Sequence, residues 1–271
     1  MGTGDLGDRM KGYEHAETGR RFMPMLPVCV RIDGRSFSKW TKGLERPYDA
    51  RLSTAMIETT ITLVEQTQAL IGYTQSDEIS LLFHSDSHKR SIFFDGRISK
   101  MNSVLASVTT ARFNALVANT IPEKSETPAT FDCRAWQVPT AAEAANVFLW
   151  REQDAAKNSV SMAARAHYSH ADLDGKSGSE MQQMLFEVGQ NWNDYPAFFK
   201  RGTFVRRCAE ERAFSTEELE SLPPLHAARR DPSLTFTRHR IAAIDMPRFG
   251  TVVNRVQVLF SGEEPRTDSA G

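Results

Sequence analysis

Tyr73-Thr-Gln-Ser-Asp-Glu-Ile-Ser-Leu-Leu-Phe83 reads as two β-type runs broken by a polar Ser76-Asp77 tip. A polar break between two such runs signals a hairpin, though a weaker one than Asn-Gly would give. What flanks the hairpin sets the fold. Upstream, residues 49–71 contain no Gly or Pro, and Leu52, Met56, Thr59 or Thr60, Leu63 and Gln66 recur at helical spacing. One long helix is expected there, capped by Asp49 and ended by Gly72. Before it, Val28-Cys-Val-Arg-Ile-Asp33 is a short β-rich run closing on Asp-Gly, so it reads as a buried strand and a turn. Downstream, 92–94 leads into a second helix at about 97–119, with Met101, Val104, Leu105, Val108, Ala111 and Leu116 on or near one face. Residues 122–128 are a loop of turn formers and charges, and 131–138 alternates like a strand.

The order is strand, helix, strand, strand, helix, strand. This is the α+β, ferredoxin-like βαββαβ unit. Right-handed crossovers place the first strand beside the one leaving the hairpin. The end of the first strand and the hairpin tip then lie together. Beyond Pro139 the pattern changes to a mixed helical and strand extension. A helix is expected at 141–168, packing through Phe148, Leu149, Ala155, Val160 and Met162. A polar linker follows at 170–178, a helix at 179–188, and strands at 198–207, 241–245 and 252–260. An acidic loop lies around 217–220, and 261–271 reads as a mobile tail. The expected division is a catalytic unit at 1–139 and an extension at 140–271.

Composition narrows the function classes. The 271 residues are 40% hydrophobic and 25% charged, enough to bury a core. Lys plus Arg is 33 against 34 Asp plus Glu, so the chain cannot bind nucleic acid by bulk charge. A polyanion must be met by a local patch or through metal ions. No apolar run approaches the ~20 residues that span a bilayer. The first 11 residues carry two Asp and no apolar segment, unlike a signal peptide. Cys29, Cys133 and Cys208 are far apart and odd in number, which excludes a disulfide framework or zinc spacing and suits a cytoplasmic location.

The chemistry concentrates at Asp33 and at Asp77-Glu78, each at the end of a β-type run. If the topology holds, these acids converge at one sheet edge, where like charges cannot all ionise without a cation. Two Mg²⁺ ions with oxygen ligands satisfy them: one to lower the pKa of an attacking hydroxyl, one to hold a triphosphate and its leaving pyrophosphate. The plainer reading, equally open on spacing alone, is a pair of turn acids. Gly34-Arg-Ser-Phe-Ser38 follows directly and offers backbone N–H groups to phosphate oxygens, without the Lys-Ser/Thr ending of a Walker loop.

Several separated motifs then fall in one order: Gly7-Asp-Arg-Met-Lys11 with Tyr13-Glu14, Arg31-Ile-Asp-Gly-Arg-Ser-Phe37, Gln75-Ser-Asp-Glu78, Ser99-Lys100, Phe131-Asp-Cys-Arg134, and Trp150-Arg151 with Asp154 and Asn158-Ser159. Over about residues 5–165 the chain resembles the tRNA(His) guanylyltransferase family, including its guanylyltransferase-like branch of 3′-to-5′ polymerases. The resemblance implies a polymerase-palm-type domain that adds nucleotides to the 5′ end of tRNA, after activation of that end by ATP or GTP. It implies metal ligands at Asp33, the Gly34 carbonyl and Asp77, and catalytic acids at Asp33, Asp77 and Glu78. It implies nucleotide binding by Asp33, Gly34, Arg35, Ser36, Phe37 and Ser38, by Ser76 and Asp77, and by the basic Arg97, Lys100 and Arg134. Ala155-Ala-Lys-Asn-Ser-Val160 leans toward the bacterial and archaeal branch and templated repair of 5′-truncated tRNA. Arg46-Pro47-Tyr48-Asp49 stands where the family has Lys-Pro-Asn-Asp, so an Arg would make that phosphate contact. The resemblance also suggests a homotetramer. The competing expectations are a palm-fold nucleotidyl cyclase and a non-catalytic ferredoxin-like RNA-binding module. The basic pairs Lys200-Arg201, Arg206-Arg207 and Arg229-Arg230, with Arg238 and Arg240, are candidates for tRNA phosphates.

Overall fold

The structure is a computed structural model and describes residues 3–231 and 233–268. Helix α1 (Thr3–Thr18) precedes strand β1 (Val28–Gly34). The short helix α2 (Phe37–Trp40) and the long α3 (Ala50–Thr67) lead to a hairpin of β2 (Ile71–Gln75) and β3 (Glu78–Phe83). Helix α4 (Ile98–Thr120) returns to β4 (Phe131–Gln137), and α5 (Ala141–Arg165) follows. Then come the short α6 (His170–Leu173), α7 (Gly178–Glu187) and α8 (Ala197–Arg201). Strand β5 (Thr203–Ala213), helices α9 (Thr216–Ser221) and α10 (Ala227–Arg230), strand β6 (Thr235–Ile244) and helix α11 (Arg255–Ser261) complete the chain.

The six strands form one antiparallel sheet in the order β4-β1-β3-β2-β5-β6. Strand β1 lies beside β3, as right-handed crossovers require. Alternation along the strands feeds two cores. Val28, Val30 and Ile32 join Ile79, Leu81 and Phe83 under α3 and α4. Cys29, Ile71, Tyr73, Leu82 and Phe204 face the other way, against Ala144, Ala145 and Phe148 of α5 and Val258 and Leu259 of α11. Because both faces are covered, β3 reads as buried throughout rather than in alternation. No helix among the described residues is long and apolar enough to cross a membrane.

Several expectations are corrected. The acidic segment around 217–220 is helix α9, not a loop, because Ser215 caps it and Glu218 returns the bond in a capping box. The expected polar linker at 170–178 begins with helix α6, capped in the same way by Ser169 and Asp172. Helix α3 ends at Thr67, not at Gly72: Gln68 takes a left-handed conformation (φ 57°), and Leu70 N–H donates to the Leu82 carbonyl (2.9 Å) as the chain enters the sheet. Residues 198–201 are helical, and the strand begins after Gly202 (φ 74°), where a side chain would strike the Thr74 carbonyl at 2.5 Å. The run at 252–260 is mostly helix α11, not a strand; a short apolar run buries equally well either way. The segment 262–268 is tied down: Val253 N–H donates to the Arg266 carbonyl (2.9 Å) and Arg266 N–H to Asn254 Oδ1 (2.8 Å). The last three residues of the expected mobile tail lie outside the described residues.

Candidate functional site

The site grows from the register of β1 with its neighbours. Asp33 stands opposite Glu78 on β3 and opposite Asp132 on β4; one pleat back, Arg31 stands opposite Ser80 and Arg134. All six belong to the face that carries Cys29, Leu82 and Trp136, the face crossed by α5. An acidic row across three strands (Asp132, Asp33, Glu78) therefore runs beside a row of Arg134 and Arg31 that Ser80 completes on β3.

Asp77 reaches Asp33 from the hairpin tip. Ser76 adopts a left-handed conformation (φ 49°), which lets two residues close the hairpin, and Gly34 N–H donates to the Asp77 carbonyl (3.1 Å). Gly34 has no room for a side chain: a Cβ there would lie 2.4 Å from Phe37 Cδ2 and 2.9 Å from Asp77 Oδ2. Burial, with the Asp33 charge added to it, raises the Asp77 carboxyl from 3.8 to about 6. The structure thus brings Asp33, Gly34, Ser76 and Asp77 together.

Glu78 is placed otherwise. It is buried, and both its oxygens are taken by Arg151 of α5, at 2.6 Å from Nε and 2.7 Å from Nη2. Arg151 also donates to Asp154 (3.0 Å), which accepts from Asn158 (3.2 Å). Burial raises the Glu78 carboxyl and the Arg151 pairing opposes that rise. Arg31 Nε lies 3.9 Å from Glu78 and has no hydrogen-bond partner although it is buried.

The loop residues divide. Gly34 and Arg35 spend their N–H groups inside the protein, on the Asp77 and Thr130 carbonyls. The Phe37 ring is core, packed on Trp40, Phe113 and Phe131. Arg35, Ser36 and Ser38 are exposed. Arg134 is exposed and reaches Asp132 (3.2 Å) and Asp33 (4.0 Å). Arg97 and Lys100 are not gathered there. Thr110 of α4 meets Phe131 beside Gly34, and Arg97 lies thirteen residues earlier, about 20 Å along the helix axis. Lys100 instead covers the Phe94 ring at 5.0 Å.

A hollow of about 470 Å³, within the range of small-ligand sites, opens against Asp77, with Asp33 behind it. Phe37, Leu44, Tyr48, Leu52 and Met162 supply apolar walls, while Ser38, Arg46, Ser76, Asp77 and Arg165 supply polar ones. Tyr195, Phe198 and Phe199 pack around Tyr48, and Trp192 donates to Ser159, so these aromatics build the wall from behind. Arg31, Arg151 and Arg165 escaped the residue-by-residue reading. Arg31 and Arg151 stood inside sequence motifs without a role of their own, and Arg165 carried no signal in the sequence.

Among the described residues no three His, Cys, Asp or Glu side chains are grouped to hold a metal alone. The donors that meet here are the Asp33 and Asp77 carboxylates, both hard oxygen; the resemblance would add the Gly34 carbonyl. Mg²⁺ is bound through one or two carboxylates plus substrate phosphates and water, so the residues fit it.

A tRNAHis guanylyltransferase family model matches residues 7–139. A bacterial tRNA(His) guanylyltransferase-like protein, solved in complex with ATP, is 43% identical over 74% of this chain and 88% of its own, with a TM-score of 0.70. The chain belongs to the tRNA(His) guanylyltransferase family. A bacterial guanylyltransferase-like protein in complex with GTP is 34% identical over 91% of this chain and 94% of its own, also at a TM-score of 0.70. The tRNA(His) guanylyltransferase of Saccharomyces cerevisiae is 27% identical over 72% of this chain and 88% of its length. The chain is thus a nucleotidyltransferase of that family, a class whose substrates are tRNA and nucleoside triphosphates.

Proposed function

We propose that this chain extends the 5′ end of tRNA in the 3′-to-5′ direction, by guanylyl addition, by templated repair of truncated tRNA, or by both. The observation that carries the reading is the meeting of Asp33 and Asp77 beside a hollow of nucleotide size. A catalytic unit within 1–139 supplies the acids, and 140–271 supplies cover and RNA contact, in a cytoplasmic homotetramer.

Asp33, the Gly34 carbonyl and Asp77 would hold Mg²⁺, as two ions. Bound there, the metal supplies charge neutralisation and an acidified hydroxyl. The 3′-hydroxyl of the incoming nucleotide attacks the activated 5′ phosphorus. A new 3′–5′ phosphodiester bond forms, and AMP or GMP from the activated end, or pyrophosphate from a triphosphorylated one, leaves with the electrons of the broken bond. Catalysis of this kind is mainly positioning. Ser36, Phe37 and Ser38 make no backbone N–H bond that would keep them from phosphate oxygens. Arg31 and Arg134, like charges directly opposed across β1 and β4, favour an anion lying over them. Arg97 and Lys100 would meet only the far end of such an anion. Glu78 positions the hairpin through Arg151.

The test is incubation with labelled GTP, ATP, Mg²⁺ and a tRNA lacking its first nucleotide. A 5′-extended RNA is expected. A labelled small nucleotide without RNA extension would instead favour a nucleotidyl cyclase, and binding without product an RNA-binding module.

A further inference from the structure

A second hollow, about 430 Å³, adjoins the first; Arg46, Arg165, Tyr168, Ser169 and His170 line it. Arg46 and Arg165 line both hollows, while Asp77 lines only the first. The two arginines therefore border both hollows, with Asp77 in the wall of one and Tyr168, Ser169 and His170 in the wall of the other.

These arginines differ from those that hold the fold. Arg51 is paired with Asp49 and Glu123, Arg151 with Glu78 and Asp154, and Arg206 with Glu264. Arg46 and Arg165 are exposed, and among the described residues no carboxylate lies within 4.0 Å of either. The acids nearby are mostly committed. Asp49 is locked to Arg51, and Asp172 accepts from the Ser169 N–H (3.0 Å) and hydroxyl (2.6 Å). Glu45 remains on the rim of the first hollow.

The recess is also held in shape. Arg165 is the last residue of α5, whose Ala163 and Ala164 are fully buried. The Tyr168 hydroxyl donates to the Met184 carbonyl (2.8 Å). Rigid elements carrying unpaired guanidinium groups over an open recess suit a solvated anion better than a buried base.

We infer that Arg165, with His170, receives a backbone phosphate of the RNA substrate, one step beyond the nucleotide hollow; Arg46, the phosphate contact that the resemblance implies, borders the same recess. The inference rests on the tRNA reading above and adds where the strand leaves the acids. Contacts of this type set affinity and register rather than sequence preference.

The experiment measures the affinity of a 5′-truncated tRNA transcript against salt concentration for wild type, Arg165→Ala, Arg165→Lys and His170→Glu, with ATP binding measured alongside. Removing one phosphate contact lowers the salt slope by about one. Arg165→Ala is expected to show that drop and several-fold weaker tRNA binding; Arg165→Lys is expected to retain most of the slope. His170→Glu is expected to weaken tRNA binding more than ATP binding. Unfolding temperatures near wild type confirm that the variants fold. If wild type binds and extends tRNA while Arg165→Ala matches it in affinity and slope, the inference is overturned and the tRNA reading stands. Equal losses for tRNA and ATP would also overturn it, by assigning Arg165 to the nucleotide. If wild type neither binds nor extends tRNA, both fall.

Discussion

At the scale of single residues, the site is a local conflict that a ligand would resolve. Asp77 is raised to about 6 by burial and by Asp33, against an ordinary 3.8. A carboxyl raised in the folded state favours folding when protonated; that contribution is full below about pH 4 and is lost as pH rises through 6. Asp77→Asn is therefore expected to stabilise the metal-free protein at pH 7, by about 1–2 kcal/mol after allowance for partial exposure. Unfolding temperatures of the pair, followed from pH 4.5 to 7.5, check this: the gap should open with rising pH, and a constant gap would contradict it. The same substitution, or Asp33→Asn, should cut nucleotide addition by at least about 100-fold while leaving the fold intact. Gly34→Ala should cost about 1–3 kcal/mol as well as activity, because its Cβ enters the Phe37 ring and the Asp77 carboxylate. A chemical denaturation midpoint unchanged from wild type would refute that.

At the scale of elements, the Arg151–Glu78 fork ties α5 to the hairpin that carries Asp77. Leaving one partner of a buried pair alone costs about 3–5 kcal/mol, whereas replacing both with apolar residues is far milder. Glu78→Gln is expected to lower stability and turnover, and the double variant Glu78→Leu with Arg151→Met to recover stability but not turnover. Recovery of both would make the pair merely structural. The strands and helices around this hairpin were legible in the sequence because periodicity and turn residues agreed. Asp49 is the cap expected of it, its side chain accepting from Arg51 N–H. The run at 252–260 was not legible: its apolar residues Val252, Val253, Val256, Val258, Leu259 and Phe260 are β-rich and nearly continuous, so strand and helix could not be told apart by period alone. The pairing of Arg31 with Arg134 depended on register, which no single run encodes.

At the scale of the whole molecule, the sheet continues through β5 and β6, and the segment 263–266 is drawn back onto it. Buried Arg206 donates to the Glu263 carbonyl (2.7 Å) and to Glu264. Of the basic residues expected to meet tRNA, Arg206 is thus withdrawn into the protein, whereas Arg240 with Glu210 (3.0 Å) and Lys200 with the Asn193 carbonyl make only exposed surface contacts. Deleting the residues after 261 leaves Arg206 buried without its acceptors and should lower stability by about 2–4 kcal/mol. Thermal unfolding of the shortened chain checks this.

The account turns on Asp33 and Asp77 acting as one oxygen site. The most direct measurement is the anomalous difference map of crystals soaked with Mn²⁺ and a non-hydrolysable GTP analogue. Peaks are expected between Asp33, the Gly34 carbonyl and Asp77, each in contact with triphosphate oxygens. Full-occupancy nucleotide with both carboxylates free of metal would contradict it.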